Sequence, residues 1–147
     1  MEIVTFDVLK NPEIIEEIGV KSFNNFYSKE KILERLSTQH YWANIARENG
    51  INLGFQISYI ANNSETYFWL LGVIPESRKK GIASRLIDLQ CSSSEEHGHK
   101  EITLKTHLGH PEAIRLYEKK GFKHFHTEKD YWGVGKDALY FKKFLPQ

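Results

Sequence analysis

Residues 67–86 read YFWLLGVIPESRKKGIASRL, and this stretch decides how the chain is organised. Its first part is almost wholly apolar, which predicts a strand over 66–74 that is covered on both faces of a sheet. Pro75 ends that strand, and a helix is predicted from about Ile82 to Glu96. A basic, glycine-containing loop therefore stands directly before the start of a helix.

The composition of this loop suits an anion site. The first turn of a helix has free N–H groups and the positive end of the helix dipole. Gly81 and Ala83 lack bulk, so ligand oxygens can approach the backbone, and Ser84 adds a hydroxyl donor. The same residues also suit a solvated basic turn, and they match neither GxxxxGK[ST] nor GxGxxG. The stretch alone leaves both interpretations open.

The bulk composition indicates a globular protein. A length of 147 residues predicts one domain over 1–147. The net charge of +1 is too small for the basic field that attracts nucleic acid or anionic membranes. No apolar run reaches membrane-spanning length, and residues 1–10 lack the apolar region of a secretory signal. We therefore expect a cytoplasmic protein without nucleic-acid or membrane partners, while a homodimer stays open.

Hydrophobic period and turn residues predict the other elements. Strands are expected at 1–8, 41–47, 53–60, 66–74, 101–106, 122–126 and 138–144, and helices from Pro12, after Ser28, over 82–96 and from Pro111 to Gly121. Asn49-Gly50 predicts a two-residue hairpin turn, and 61–65 a second turn. The order β-α-α-β-β-β-α-β-α-β-β is that of a mixed α/β sheet.

Two motifs resemble those of the GNAT (general N-acetyltransferase) superfamily. Arg78-x-x-Gly81-x-Ala83, after its strand, is similar to the family's Arg/Gln-x-x-Gly-x-Gly/Ala motif. The segment 113-AIRLYEKKGF-122 resembles the second motif, A-x-x-L-Y-E-K-x-G-F, and 131-YWGVGKDALYFKK-143 is similar to the last hairpin of many members. The resemblance covers nearly the whole chain. It implies a GNAT-like fold whose central strands, 66–74 and 101–106, are splayed around acetyl-CoA.

The resemblance also implies a reaction, in which acetyl-CoA donates its acetyl group to a primary amine of a small molecule or a protein by direct attack in a ternary complex. The backbone of Leu71 and Val73 would hydrogen-bond the pantetheine arm. The loop residues implied to hold the diphosphate are Arg78, Lys79, Lys80, Gly81, Ile82, Ala83 and Ser84. His110 occupies the position, three residues before Ala113, where the family often has an asparagine that contacts pantetheine. It could still donate a hydrogen bond there, or equally cap the helix at Pro111.

Tyr117 occupies the tyrosine position of the family's LYEK, where many members place a general acid. A phenol is protonated at neutral pH and can give a proton to a departing thiolate. Helical periodicity alone places Tyr117 on a core face, so a structural role remains the alternative. The implied oxyanion donor is the backbone N–H of Val73, with Gly72 allowing a bulge that turns this donor inward.

The general base is the uncertain part of the implied mechanism. Many family members carry a glutamate at the position of Tyr67, and the nearest acid here is Glu65. His107, Glu65 or a water chain touching Tyr67 could each serve. The missing glutamate also suits a catalytically weak acetyl-CoA-binding sensor. A nucleic-acid-binding domain that uses Arg78, Lys79 and Lys80 is a further alternative, against which the low net charge argues.

The acceptor is expected between the first two helices and the last hairpin connection. Its expected lining is Phe26, Tyr27, Tyr67, Tyr131 and Trp132, with Phe23 beside them and the carboxylates of Glu128, Asp130 and Asp137 nearby. Aromatic walls with carboxylates suit an amine.

The histidines and the cysteine have simpler interpretations. No HExxH or Cys–His metal spacing is present, so no metal is expected. His97, His99, His124 and His126 are expected at the surface, with the last two on one face of a strand. Residues 92–94 are expected as the exposed tail of a helix. Cys91 cannot form an internal disulfide and is expected as a small buried side chain.

Overall fold

The computed structural model describes residues 1–23 and 25–146, in which seven strands form one mixed sheet covered by four helices. The elements are β1 (Glu2–Thr5), α1 (Pro12–Ser22), α2 (Lys29–Leu36), β2 (Tyr41–Glu48), β3 (Ile51–Asn62), β4 (Glu65–Val73), α3 (Ile82–Glu96), β5 (Glu101–Thr106), α4 (Pro111–Lys119), β6 (Lys123–Glu128) and β7 (Ala138–Phe144). The predicted order of elements is confirmed. The spatial order is β1-β2-β3-β4-β5-β7-β6, and only β4 and β5 pair in parallel.

Local signals explain where the helices begin. Pro12 and Pro111 stand at first helical positions, where a missing N–H costs nothing. The hydroxyl of Ser28 accepts from the amide of Lys31 at 3.3 Å, as a capping residue should. At the end of α4 the amide of Phe122 bonds the Tyr117 carbonyl at 3.0 Å, which closes the helix.

Several predicted boundaries differ from the structure. β1 ends at Thr5 instead of residue 8, because Asp7 begins a turn in which its carbonyl accepts from the Asn11 amide at 3.3 Å. β3 and β4 extend through most of the predicted loop 61–65, so that only Asn63 and Ser64 lie between them. β6 covers Lys123–Glu128 instead of 122–126, because Phe122 is buried in the core.

The parallel strands separate halfway along their length. β4 and β5 pair from Glu65 with Glu101 to Phe68 with Leu104, and β4 then continues to Val73 without a partner in β5. A bulge at Trp69 marks the point of separation, since Ile57 of β3 faces Leu70 while the next residue faces Phe68. A bulge bends and twists its strand, which opens the space called here the β4–β5 gap.

The bulge predicted at Gly72 is wrong. Gly72 faces Phe55 in regular register. A Cβ atom at Gly72 would lie 2.7 Å from the Phe55 ring and 3.1 Å from the Phe23 ring. The glycine therefore serves close ring packing, which brings the end of α1 against β4.

The helices cover opposite faces of the sheet. On one face, the Phe26 ring lies between Gly19 of α1 and Phe55 of β3, with the Phe26 and Phe55 ring centroids 5.9 Å apart. α3 and α4 lie on the other face, where Tyr117 packs 6.4 Å from Phe68. The face on the side of α1 and α2 also carries Tyr67 of β4 and Thr103 of β5, which lie directly opposite each other where these two strands pair. We call this side of the sheet the acceptor face.

A chain of buried hydrogen bonds fixes α3 on the sheet. The Trp42 indole donates to Gln90 at 2.8 Å, Gln90 donates to Ser94 at 2.7 Å, and Ser94 donates to Thr66 at 2.8 Å. Thr66 then bonds Nδ1 of His99 at 2.6 Å. His99 and Ser94 are therefore buried, which corrects the expectation of a surface histidine and an exposed serine run. Burial and the neighbouring His97 lower the pKa of His99.

No helix in the described ranges is both long and apolar enough to cross a membrane.

Candidate active site

The loop before α3 has the backbone geometry of an anion site. Lys79 and Gly81 both have left-handed conformations, with φ of 65° and 82°. The first helical bond of α3 runs from the Arg85 amide to the Gly81 carbonyl at 3.1 Å, which leaves the preceding amides without acceptors in the helix. A Cβ atom at Gly81 would meet nothing within 4 Å, so the space before these amides is open. The loop can therefore accommodate a diphosphate.

The cations of the loop, Lys79 and Arg78, have different contacts. Lys79 forms a 3.9 Å ion pair with Glu112 of α4 and is largely exposed. Nε of Arg78 donates to the Val73 carbonyl at 3.2 Å, and its Nη2 donates to the Ser22 carbonyl at 2.7 Å. The diphosphate contact of Arg78 stays a prediction. In this structure its guanidinium ties the end of β4 to the end of α1.

Replacing Arg78 with methionine tests this tie. We expect the free energy of unfolding to fall by about 1 kcal/mol, since two hydrogen bonds from a partly exposed cation are lost. Thermal unfolding without ligand measures the change, and Lys80→Met, at an exposed neighbour, is the control. Unchanged stability with weaker coenzyme A binding would instead place the guanidinium on the diphosphate.

The free edge of β4 faces the β4–β5 gap. The Ile74 amide donates to Leu53 of β3 at 2.9 Å. Successive residues of a strand direct their N–H and C=O groups to opposite edges, so the polar groups of Val73 and Leu71 face the gap. They can therefore bind an extended, amide-containing chain in the manner of an added strand, as the sequence predicts for pantetheine.

Tyr117 joins the core through its ring. It is 9 % exposed, and its ring lies 5.9 Å from Phe122 as well as against Phe68. Its hydroxyl forms no hydrogen bond within residues 1–23 and 25–146, yet no fully buried side-chain polar atom there lacks a partner. The hydroxyl must therefore touch open space. Burial raises the pKa of this phenol, which keeps it protonated as a general acid requires.

Two histidines lie next to the start of α4. The rings of His107 and His110 are 4.2 Å apart, and Nδ1 of His107 accepts from the Gly109 amide at 3.0 Å. Neutral His107 therefore carries its proton on Nε2 and has no free lone pair, which argues against it as the base. His110 precedes α4 without capping it. Burial, then His107 and Arg78, lower the pKa of His110, so its neutral form has a lone pair available.

Glu65 is poorly placed to act as the base. Both carboxylate oxygens of Glu65 are engaged, by the Thr103 hydroxyl at 2.6 Å and the Asn62 amide at 3.1 Å. Glu65 also lies three residues before Phe68, about 10 Å along the strand from the start of the gap. Burial, followed by the neighbouring Tyr59, raises the pKa of Tyr67, so this phenol stays protonated near neutral pH, and the water chain touching it stays a prediction.

The predicted acceptor aromatics divide into two groups. Phe26 is packed inward against Gly19 and Phe55. The other four, Tyr27, Tyr67, Tyr131 and Trp132, lie on the acceptor face. The ring of Tyr27 is 5.4 Å from that of Trp69, and the ring of Tyr67 is 5.3 Å from that of Tyr59. The rings of Tyr131 and Trp132 are 5.1 Å apart. Trp132 in turn lies 5.8 Å from His107. The connection between β6 and β7 thus approaches the gap.

The carboxylates of that connection hold the loop itself. Glu128 accepts from the Tyr140 hydroxyl at 2.7 Å, Asp130 accepts from the Gly135 amide at 2.7 Å, and Asp137 accepts from the Asp130 amide at 2.9 Å. Their expected contact with an acceptor amine stays a prediction. The residue that faces the aromatic rings is Lys105 of β5, which the sequence reasoning missed.

The expectation that His124 and His126 share one face is also wrong. An irregularity in β6 places His124 opposite Phe141 and His126 opposite Tyr140, which are neighbours on opposite faces of β7. Within the described ranges, no three His, Cys, Asp or Glu side chains are grouped so that they could hold a metal ion. Cys91 is half-buried, and burial raises the pKa of its thiol.

A seven-stranded mixed sheet whose two parallel strands separate, with a left-handed loop before the following helix, is the arrangement that the GNAT resemblance predicts. The sequence matches the model of the acetyltransferase (GNAT) family over residues 10–122. The chain belongs to this family.

Relatives and solved structures agree with this assignment. An N-alpha-acetyltransferase of Saccharolobus solfataricus is 36% identical over 69 residues, which are 46% of this chain and 41% of that protein. The chain matches less than half the length of the curated relatives. The ribosomal-protein-S18-alanine N-acetyltransferase of Escherichia coli has a TM-score of 0.89 at 18% identity, covering 99% of this chain and 94% of that one. An acetyl-CoA-bound GNAT acetyltransferase of Elizabethkingia anophelis has a TM-score of 0.82 at 17% identity, with 98% and 97% covered.

Proposed function

We propose that this chain, as a single domain over 1–147, transfers the acetyl group of acetyl-CoA to a primary amine by direct attack in a ternary complex. The observation that carries the proposal is the β4–β5 gap, bordered by the free edge of Leu71 and Val73 and followed along the chain by the loop before α3. When bound, acetyl-CoA supplies an activated acetyl group on a thioester. The family match and the acetyl-CoA-bound structural neighbour support this ligand.

The residues around the gap have distinct proposed roles. The backbone N–H of Val73 donates a hydrogen bond to the thioester carbonyl oxygen, on which negative charge develops as the amine attacks. The Tyr117 hydroxyl gives its proton to the departing sulfur. Neutral His110 is the proposed proton acceptor for the incoming amine, because its lowered pKa keeps it unprotonated and its lone pair is not used by a backbone donor. Diphosphate binding is assigned to the backbone of 79–84.

This set of residues favours an α-amine as acceptor. A model α-amine has a pKa of roughly 7.7–8.0, whereas a lysine amine has about 10.4, so its free-base fraction at pH 7 is more than about 100-fold larger. A weakly basic imidazole can take the proton of an α-amine but not that of the much more basic lysine amine. The relatives named N-alpha-acetyltransferases support the same choice.

Acetyl transfer to two matched peptides tests the proposal. One has a free N-terminus and no lysine, and the other has a blocked N-terminus and one lysine. We expect mass spectrometry to detect acetylation of the first at least about 100-fold faster at pH 7. Equal rates would contradict the α-amine assignment. Binding of acetyl-CoA without transfer to either peptide would favour the sensor alternative.

A further inference from the structure

A cavity of about 420 Å³ opens on the acceptor face beside the paired half of β4 and β5. The lining residues that matter here are Tyr59, Glu65, Tyr67, Thr103, Lys105 and Tyr140. Lys105 directly follows Leu104, the last residue of β5 that pairs with β4. A group held in this cavity therefore lies next to the start of the gap, where the amine must react.

Lys105 places a fixed positive charge in the cavity wall. Its ammonium lies 4.8 Å from the ring centroid of Tyr131, 5.3 Å from that of Tyr140 and 5.6 Å from that of Tyr67. It also donates to the Tyr131 hydroxyl at 3.2 Å. Aromatic faces hold a cation in place without neutralising it. The charge therefore remains available to an anion.

Arg35 of α2 brings a second cation next to the cavity, through its contact with the lining residue Tyr59. Its guanidinium lies 4.8 Å above the Trp69 ring, and Nη1 donates to the Tyr59 hydroxyl at 2.9 Å. Tyr59 lies 5.3 Å from Tyr67, so one aromatic surface connects the two cations. A planar guanidinium held on a ring keeps its remaining N–H donors for a carboxylate.

The charge of this region is unbalanced. None of the ion pairs within residues 1–23 and 25–146 includes Lys105 or Arg35. The cavity lining contains one carboxylate, that of Glu65, and hydrogen bonds to Thr103 and Asn62 already engage it. Lys105 thus lines a partly enclosed space and Arg35 lies beside it on Tyr59, and neither cation forms an ion pair in the described part of the chain.

We infer that this cavity binds a carboxylate that the acceptor carries close to its reactive amine, with Lys105 as the nearer cation and Arg35 as the second. The inference rests on the proposed acetyl transfer and narrows its acceptors to amines with a neighbouring acidic group. Polycationic acceptors such as polyamines are disfavoured, since like charges repel. The carboxylate can be an acidic side chain near a peptide N-terminus or the α-carboxylate of a free amino acid.

Paired acceptors test the inference and separate the two sources. One pair consists of peptides that differ only in glutamate or glutamine at the second residue, and the other of an amino acid and its amide. We expect kcat/KM to favour the acidic member of at least one pair by about tenfold, the effect of one partly shielded charge pair. The pair that shows the preference identifies the source.

Variants of Lys105 assign the preference to this residue. Lys105→Met should bring the ratio of the two rates close to one, while Lys105→Arg should keep it. Lys105→Glu should reverse it in favour of a lysine at the same peptide position. Lys100→Met removes an exposed lysine just before the other end of β5 and should leave the ratio unchanged. Thermal unfolding of each variant checks that it is folded.

A binding measurement keeps this test separate from that of the proposed function. Tryptophan fluorescence reports acceptor binding without acetyl-CoA, because Trp69 lies under Arg35. Tighter binding of the acidic peptide or amino acid that Lys105→Met abolishes would support the inference even if no acceptor were acetylated. Equal binding and equal rates for both members of each pair would overturn it, while acetylation itself could still proceed.

Discussion

Replacing Gly81 with aspartate is expected to weaken acetyl-CoA binding at least about 100-fold, because a carboxylate would stand where the amides of the loop receive an anion. The protein should stay folded. Gly81 has a left-handed conformation at φ of 82°, which aspartate tolerates better than most residues, and a Cβ atom there would meet nothing within 4 Å. Isothermal titration with coenzyme A measures the affinity.

Gly81→Asn is the matched control for this variant. Asparagine has nearly the same shape, the same tolerance of positive φ and the same capping ability, but no charge. We expect it to reduce affinity much less than aspartate does, and the positive φ at this position to destabilise both variants to the same small extent. Equal affinity of the aspartate variant and the wild type would show that the loop does not hold the diphosphate.

Replacing Tyr117 with phenylalanine is expected to lower kcat about 100-fold, at the lower end of the range for a general acid, since a thiolate is already a fair leaving group. Coenzyme A affinity and stability should change little, because the ring packing is kept and the hydroxyl has no hydrogen-bond partner in the described ranges. Steady-state kinetics at saturating acetyl-CoA measures the effect.

Tyr41→Phe is the control for the loss of a phenol, since the Tyr41 hydroxyl bonds Asp7 near the end of β1. The pH dependence adds a second check. Because burial raises the pKa of Tyr117, its ionisation should cause no decline in wild-type activity as the pH rises to about 10. Unchanged kcat in Tyr117→Phe would assign this residue to the core alone.

Local sequence signals were sufficient for the arrangement of elements. These signals depend on residues close together in the chain: the apolar periodicity, Pro12, the Ser28 cap and the glycine-containing loop. Each has its predicted place in the structure. The gap between β4 and β5 followed from the family resemblance. Its physical cause, the bulge at Trp69, has no signal in the strand's own sequence because register depends on β3.

The acceptor face was less predictable. Phe26 and Tyr27 are neighbours in sequence, yet one packs inward and the other outward, which only the course of the chain after α1 decides. The carboxylates after β6 looked free in the sequence but satisfy amides of their own loop. Lys105 stands out in the sequence only as a cation within a strand that contains several apolar residues. Its aromatic partners come from separate elements, so its position beside them could not be predicted.

The central claim is that the amides of 79–84 and the free edge of β4 together bind acetyl-CoA. A crystal structure of the protein with coenzyme A tests it most directly. We expect the diphosphate at the backbone of Gly81, Ile82 and Ala83, the pantetheine amides bonded to Leu71 and Val73, and the thiol beside the Tyr117 hydroxyl. A diphosphate bound at any other surface, with the β4–β5 gap empty, would contradict the account.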